Sequence, residues 1–238
     1  MTAGFQVYSP NNGVLQVDGE YINCSLRKSG YITDAMVNKD YIDGYQYFLD
    51  ITDFNRPLIA VKNQGANNKV CVEVIRPSSE TSSFGYVAGR TYVRFAFPSA
   101  AGNAEYYIFD QWSAPKGNKG IEVYSSSGDL VFHSDWYTLR IVGMLSVPAL
   151  TPSKNGSAST IGNVVQGAAL LQTYSKFYSI NPNRDAPSLY RAGVWVDGTT
   201  AKIQFMYAGV YGGQTAYNRV HPMTILQVDT SACPIPYN

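Results

Sequence analysis

Histidine and cysteine are nearly missing from this chain: two of one and three of the other among 238 residues. Nucleophilic and transition-metal sites draw heavily on both types, so few such sites are open to it. Cys24, Cys71 and Cys233 are odd in number and widely spaced, which fits neither a disulfide framework nor a zinc pattern. Free thiols are expected, as in a protein folded in a reducing cytoplasm. Charge is scarce as well. Asp, Glu, Lys and Arg make up 15% of the residues, against roughly 25% in an ordinary globular chain. Eighteen Lys+Arg against 17 Asp+Glu leave a net charge of +1. Without a basic run, neither a nucleic-acid groove nor a polybasic membrane surface is expected. No apolar stretch approaches the roughly 18 residues of a membrane-spanning helix. Met1-Thr2-Ala3-Gly4 has neither the charged nor the apolar region of a secretory signal. Gly-x-Ser-x-Gly elbows, P-loops, dinucleotide fingerprints and His-Glu-x-x-His helices are lacking. The expectation is a non-enzymatic protein with no cofactor and no metal.

What the chain does hold is tyrosine, 19 residues of it. Tyrosine suits half-buried strands and interfaces, because it combines apolar area with one hydroxyl. Short apolar runs such as Leu58-Ile59-Ala60-Val61, Val70-Cys71-Val72 and Tyr92-Val93-Arg94-Phe95-Ala96-Phe97 are each stopped by Gly, Pro or Asn. Asp197-Gly198 between Val194-Trp195-Val196 and Ile203-Gln204-Phe205 marks a hairpin. Residues 164–180 fit a short helix or a strand pair, and the β-rich context favours strands. About a dozen short strands at 8–12-residue spacing predict an all-β, antiparallel β-sandwich architecture.

One pattern occurs twice. Gly4-Phe5-Gln6-Val7-Tyr8-Ser9 leads through a turn to Gly13 and Leu15-Gln16-Val17-Asp18. Gly120-Ile121-Glu122-Val123-Tyr124-Ser125 leads to Gly128 and Leu130-Val131-Phe132-His133. An aromatic follows each copy, Tyr21 or Trp136, and then a Leu-Arg pair, Leu26-Arg27 or Leu139-Arg140. Each copy predicts a β-hairpin, with Gly13 and Gly128 at positive φ. The repeat predicts two β domains, 1–118 and 119–238. One continuous β domain that uses the hairpin twice is the alternative. Alternation would turn Ile121, Val123 and Leu130 inward and Tyr8 and Tyr124 outward. Tyr8, Tyr124 and Trp136 are therefore the candidate subunit contacts. The competing reading makes Tyr8 and Tyr124 half-buried strand residues of their own domains.

This hairpin, with Gly120 to Ser134 the better match and the strand Tyr106-Tyr107-Ile108-Phe109-Asp110 ahead of it, resembles the opening of small tail-associated proteins of tailed bacteriophages. The resemblance implies a virion structural protein of the tail tip or tail fibre near the host-contacting end. It also implies assembly in the host bacterial cytoplasm and a symmetric oligomer, three copies being expected, that touches neighbouring tail proteins. It carries over no functional residue.

Other candidates are weaker. His133 and His221 lack partners that sequence can place. Asp50 and Asp53 suit a glycosidase pair or a calcium site only loosely, and capped turns account for them more simply; Asn183 and Asp185 read the same way. Tyr41, Tyr45, Tyr47, Trp112, Trp136, Tyr211 and Tyr217 lie in or beside expected loops, where stacking on a sugar is possible. Hence the alternative function, a lectin-like module that recognises bacterial surface glycan, with a glycan-cleaving enzyme as a third reading.

Overall fold

The computed structural model describes residues 6–8, 15–18, 22–40, 44–63, 65, 68–77, 87–98, 103–147, 158–172, 176–179, 188–210 and 223–238. Gly13, Tyr41, Asn183, Asp185, Tyr211, Tyr217 and His221 lie outside the described residues, as does the side chain of Tyr8. The described residues form an all-β, antiparallel structure with one 3-10 turn at Asp34–Met36.

The strands of the first half are β1 (Gln6–Tyr8), β2 (Leu15–Asp18), β3 (Cys24–Ile32), β4 (Asn38–Asp40), β5 (Gly44–Asp50), β6 (Leu58–Lys62), β7 (Cys71–Ile75), β8 (Tyr92–Phe97) and β9 (Ala104–Gln111). Those of the second are β10 (Glu122–Tyr124), β11 (Leu130–His133), β12 (Ile141–Val147), β13 (Ser159–Asn163), β14 (Ala169–Gln172), β15 (Lys176–Ser179), β16 (Ser188–Asp197), β17 (Thr200–Val210) and β18 (Met223–Val228). Residues 164–180 thus contain the strands β14 and β15. β8 is buried along its whole length, which is why its apolar run is nearly unbroken. β18 alternates through its first four residues, the period of a strand with one better-covered face.

Both halves use one connectivity. The first builds β3-β9-β6 and β5-β8-β7; the second builds β12-β18-β14 and β13-β17-β16. β4 extends the first outer sheet and β15 the second. In each half the two triplets pack face to face. Ile32, Val61, Val93, Phe95 and Ile108 fill the first sandwich; Leu145, Leu170, Val194, Ile203 and Ile225 fill the second. Each such side chain contributes roughly 1.5–3 kcal/mol over its exposed state.

The halves are joined edge to equivalent edge. β6 pairs with β14 through Val61↔Leu170 and Ala60↔Leu171, giving one six-stranded sheet, β12-β18-β14-β6-β9-β3. Val70 and Val194 exchange both main-chain hydrogen bonds, at 3.1 and 3.0 Å. At the far edges Leu26 N donates to Tyr137 O and Leu139 N donates to Cys24 O, both at 2.8 Å. The two donors are 113 residues apart (26 to 139), and so are the two acceptors (24 to 137), so a pseudo-twofold axis passes between Ser25 and Thr138. The six-stranded sheet is thereby rolled until its two edges meet. Its inner face holds a third core drawn from both halves, with Leu26, Ala60, Phe109, Leu171 and Val228. Along β3, Ser29 exchanges main-chain hydrogen bonds with Tyr237 at 2.9 and 3.2 Å, so the C-terminal segment covers that edge. Hydrogen bonding is therefore continuous across the 118/119 position.

Symmetry extends to a glycine in each inner edge strand. Gly30 lies opposite Tyr106 and Gly143 opposite Gln227, again 113 residues apart (30 to 143). A Cβ on Gly30 would sit 2.6 Å from the Tyr106 hydroxyl and 2.8 Å from Cζ; on Gly143 it would sit 3.0 Å from Gln227 Nε2. The missing side chain lets the neighbour lie flat across the strand. Gly30→Ala is expected to destabilise the protein by about 1–3 kcal/mol, read as a lower urea midpoint at unchanged slope. Gly143→Ala should cost less, because the Gln227 side chain can give way. Equal midpoints for Gly30→Ala and the parent would contradict this packing.

Candidate functional site

The two repeated hairpins have one geometry. β1 and β2 pair through Gln6↔Asp18, Val7↔Val17 and Tyr8↔Leu15, with a shift between Val7 and Tyr8. β10 and β11 pair through Glu122↔His133, Val123↔Phe132 and Tyr124↔Leu130, with the shift between Val123 and Tyr124. Gly128 has φ +89°, as its turn position requires. Gly120, which opens the second copy, has φ +149°, and a Cβ there would lie 2.8 Å from His133 Cε1. The glycine lets the chain cross directly over the imidazole.

The inward face differs from the expected one. Ile121 is 67% exposed and Leu130 only half-buried, while Val131 and His133 are each 1% exposed. The extra residue of the bulge turns Val131 inward. His133 is therefore a buried residue. Its Nδ1 accepts from Asp135 N at 3.1 Å, and its Nε2 lies 3.8 Å from Glu122. Tyr124 is 51% exposed, and its hydroxyl donates to Glu122 at 2.5 Å. Hydrogen bonds from Lys116 and then Tyr124 hold the Glu122 carboxyl below its ordinary range. Trp136 is 5% exposed and forms a cavity wall; its indole N–H has no partner among the described residues.

The Leu-Arg pairs of the repeat each lead to an ion pair. Arg27 reaches Asp110 at 2.6 Å and Arg140 reaches Asp229 at 3.1 Å. Asp110 ends β9 one residue before its last, and Asp229 directly follows β18, the equivalent strand. The first pair is enclosed. Asp110 is fully buried and accepts from Asn55 N at 3.0 Å, Arg56 N at 2.6 Å and Gln111 N at 2.9 Å. The Arg27 guanidinium sits 4.2 Å from the Phe54 ring and 5.3 Å from that of Trp112. Trp112, expected as an exposed stacking residue, is thus half-buried over an arginine. Asn23 N and Nδ2 both donate to Val131 O, at 3.1 and 2.8 Å, which ties the second hairpin to this end of the first half.

The second pair is open. Arg140 is 58% and Asp229 24% exposed. Beside them lies a cavity of about 420 Å³ bounded by Ser134, Asp135, Trp136, Tyr137 and Ala232. Hydrogen bonds from the Ser231 hydroxyl and main chain lower the Asp229 pKa. Sequence reading found the two arginines through the repeat but not their aspartates, which have no shared flanking pattern. The other carboxylates settle as turn caps: Asp50 accepts from Thr52 N at 2.9 Å and Thr52 Oγ1 at 2.6 Å. Tyr45 and Tyr47 pack against the first core. None of Cys24, Cys71 and Cys233 is in a disulfide, and burial raises the pKa of Cys233 to about 11. Among the described residues no group of three His, Cys, Asp or Glu could hold a metal ion.

Comparison with family models, curated proteins and solved structures finds no match to this chain.

The two ion pairs should differ sharply in what they contribute to stability. Asp110→Ala removes a buried carboxylate, leaving a half-buried guanidinium and three main-chain N–H groups without their acceptor, and is expected to cost about 2–4 kcal/mol. Asp229→Ala breaks a solvated pair and should cost about 1 kcal/mol or less. Urea unfolding of the two variants checks this, and similar losses would contradict the enclosed-versus-open description.

Proposed function

We propose that this protein is a non-enzymatic structural component of a phage tail tip or tail fibre that works by protein–protein contact in a symmetric assembly. The observation that carries the reading is the second hairpin. Its resemblance to tail-associated proteins is joined by an outward display of Ile121 and Tyr124, 67% and 51% exposed. Large apolar side chains on a strand edge are costly in water and are natural contact points for another subunit. Tyrosine at such a place offers rigid apolar area with one polar end, the composition of interface cores. The glutamate and lysine beside it, already paired to each other, add little repulsion when covered. Rolled and sandwiched sheets with enclosed edges suit a building block that must resist strand exchange outside its intended contacts.

In the test, Tyr124→Ser and Ile121→Ser are compared with the parent in two measurements. Both variants should melt as the parent does, since both side chains are largely in water. Both should lower the mass seen by light scattering at about 10–100 μM, the range of weak assembly contacts, or reduce incorporation into particles. Folded variants that assemble as the parent does would sink the reading. Parent protein that remains monomeric and instead binds bacterial cells in a sugar-competable way would favour the lectin-like alternative.

A further inference from the structure

The pseudo-twofold axis places two equivalent Arg–Asp pairs in one molecule, one covered and one bare. What covers the first is a loop of its own half. β5 and β6 are connected by seven residues, 51–57, whereas β13 and β14 are connected by five, 164–168. The longer loop lays Phe54 on Arg27 and points the consecutive N–H groups of Asn55 and Arg56 at Asp110. The shorter one is held elsewhere, with Val165 N donating to Gln227 Oε1 at 2.7 Å. Arg140 is left with no aromatic ring over it among the described residues. Asp229 keeps Arg140 and Ser231 as its partners, short of the roughly four hydrogen bonds a carboxylate can accept.

We propose that the cavity beside Arg140 and Asp229 is a docking site for a segment of another protein chain, one that presents an aromatic side chain followed by two consecutive main-chain N–H groups. The covered pair displays the bound arrangement. The aromatic lies against the Arg140 guanidinium, an attraction of the cation–π kind, and the two N–H groups donate to the solvent-facing side of the Asp229 carboxylate, whose side chain is 24% exposed. Covering an ion pair removes it from water, which is tolerable only if the covering group brings hydrogen-bond donors. A purely apolar ligand brings none. An anion is repelled, because Asp135 and Asp229 both face the space. At about 420 Å³ the cavity falls within the common range of ligand sites, roughly 300–1,000 Å³. The loop 51–57 is itself engaged on Asp110, so the occupant is a different segment.

The probe is the chain's own covering loop supplied in trans, an acetylated and amidated peptide with the sequence of residues 53–58, Asp-Phe-Asn-Arg-Pro-Leu. It is titrated into the full-length protein and followed through the NMR signals of the Trp136 indole and the Arg140 and Asp229 amides. Saturable shifts with a Kd of about 1 mM or tighter are expected. Asp229→Ala in the protein should weaken binding at least about tenfold, and so should replacing Phe54 by Ala in the peptide. N-methylation of the peptide at Asn55 and Arg56, which removes both donors, should abolish it. No shift at these residues up to about 10 mM peptide would overturn the proposal, as would undiminished binding of the N-methylated peptide or undiminished binding to Asp229→Ala. Failure here leaves the hairpin contact standing, because Tyr124 and Ile121 lie outside this cavity and are tested by other variants.

Discussion

A strand at the edge of a sheet carries unpaired N–H and C=O groups, and this fold is arranged around pairing them. Two sets of strands with the same connectivity present the same edges, and at three places an edge finds its counterpart in the other set. β6 meets β14, the residues before β7 meet β16, and the start of β3 meets the approach to β12. Three contacts on one axis leave little freedom in how the halves sit. They also create the third core, which neither half could enclose alone, since Leu26 and Phe109 come from one and Leu171 and Val228 from the other. The arrangement inside one chain is that of an isologous dimer, in which each partner offers the same patch.

Near-symmetry makes the departures from it informative. The Arg–Asp pair following each hairpin begins from one pattern and ends in two environments, because two residues more or less in a connecting loop decide whether a ring and two amides reach it. In the first half the pair is a sealed structural element. In the second it is an accessible polar group beside an orphaned indole. On the second hairpin Gly120 lies directly over His133, while Ile121 and Tyr124 on its outer side remain in water.

Legibility in the sequence followed the range of the interaction. The hairpin turn at Gly128 and the strand pair at Asp197-Gly198 rest on contacts a few residues apart and were readable. So were the cap of Asp50 on Thr52 and the strands within 164–180. Ile121 faces water because alternation holds only within a strand and β10 begins one residue later, at Glu122; on β11 the extra residue Val131 reverses the expected pattern. Trp112 reads from sequence as a loop-side aromatic with stacking on a sugar possible, but its partner Arg27 lies 85 residues away (27 to 112), beyond any local pattern.

By itself the sequence determined the all-β class, the two copies of one hairpin, the thiol-poor and weakly charged character, and the position of the repeated Leu-Arg pairs. Each of these follows from backbone preferences, side-chain period and composition, which act within about ten residues. Only the tertiary structure decided that Asp110 and Asp229 are the partners of those arginines and that one pair is sealed and the other open. Only it decided that the six-stranded sheet runs through both halves. Those outcomes depend on main-chain pairing between segments roughly a hundred residues apart, and on loop lengths whose effect exists only once the strands have set the distance each loop must span.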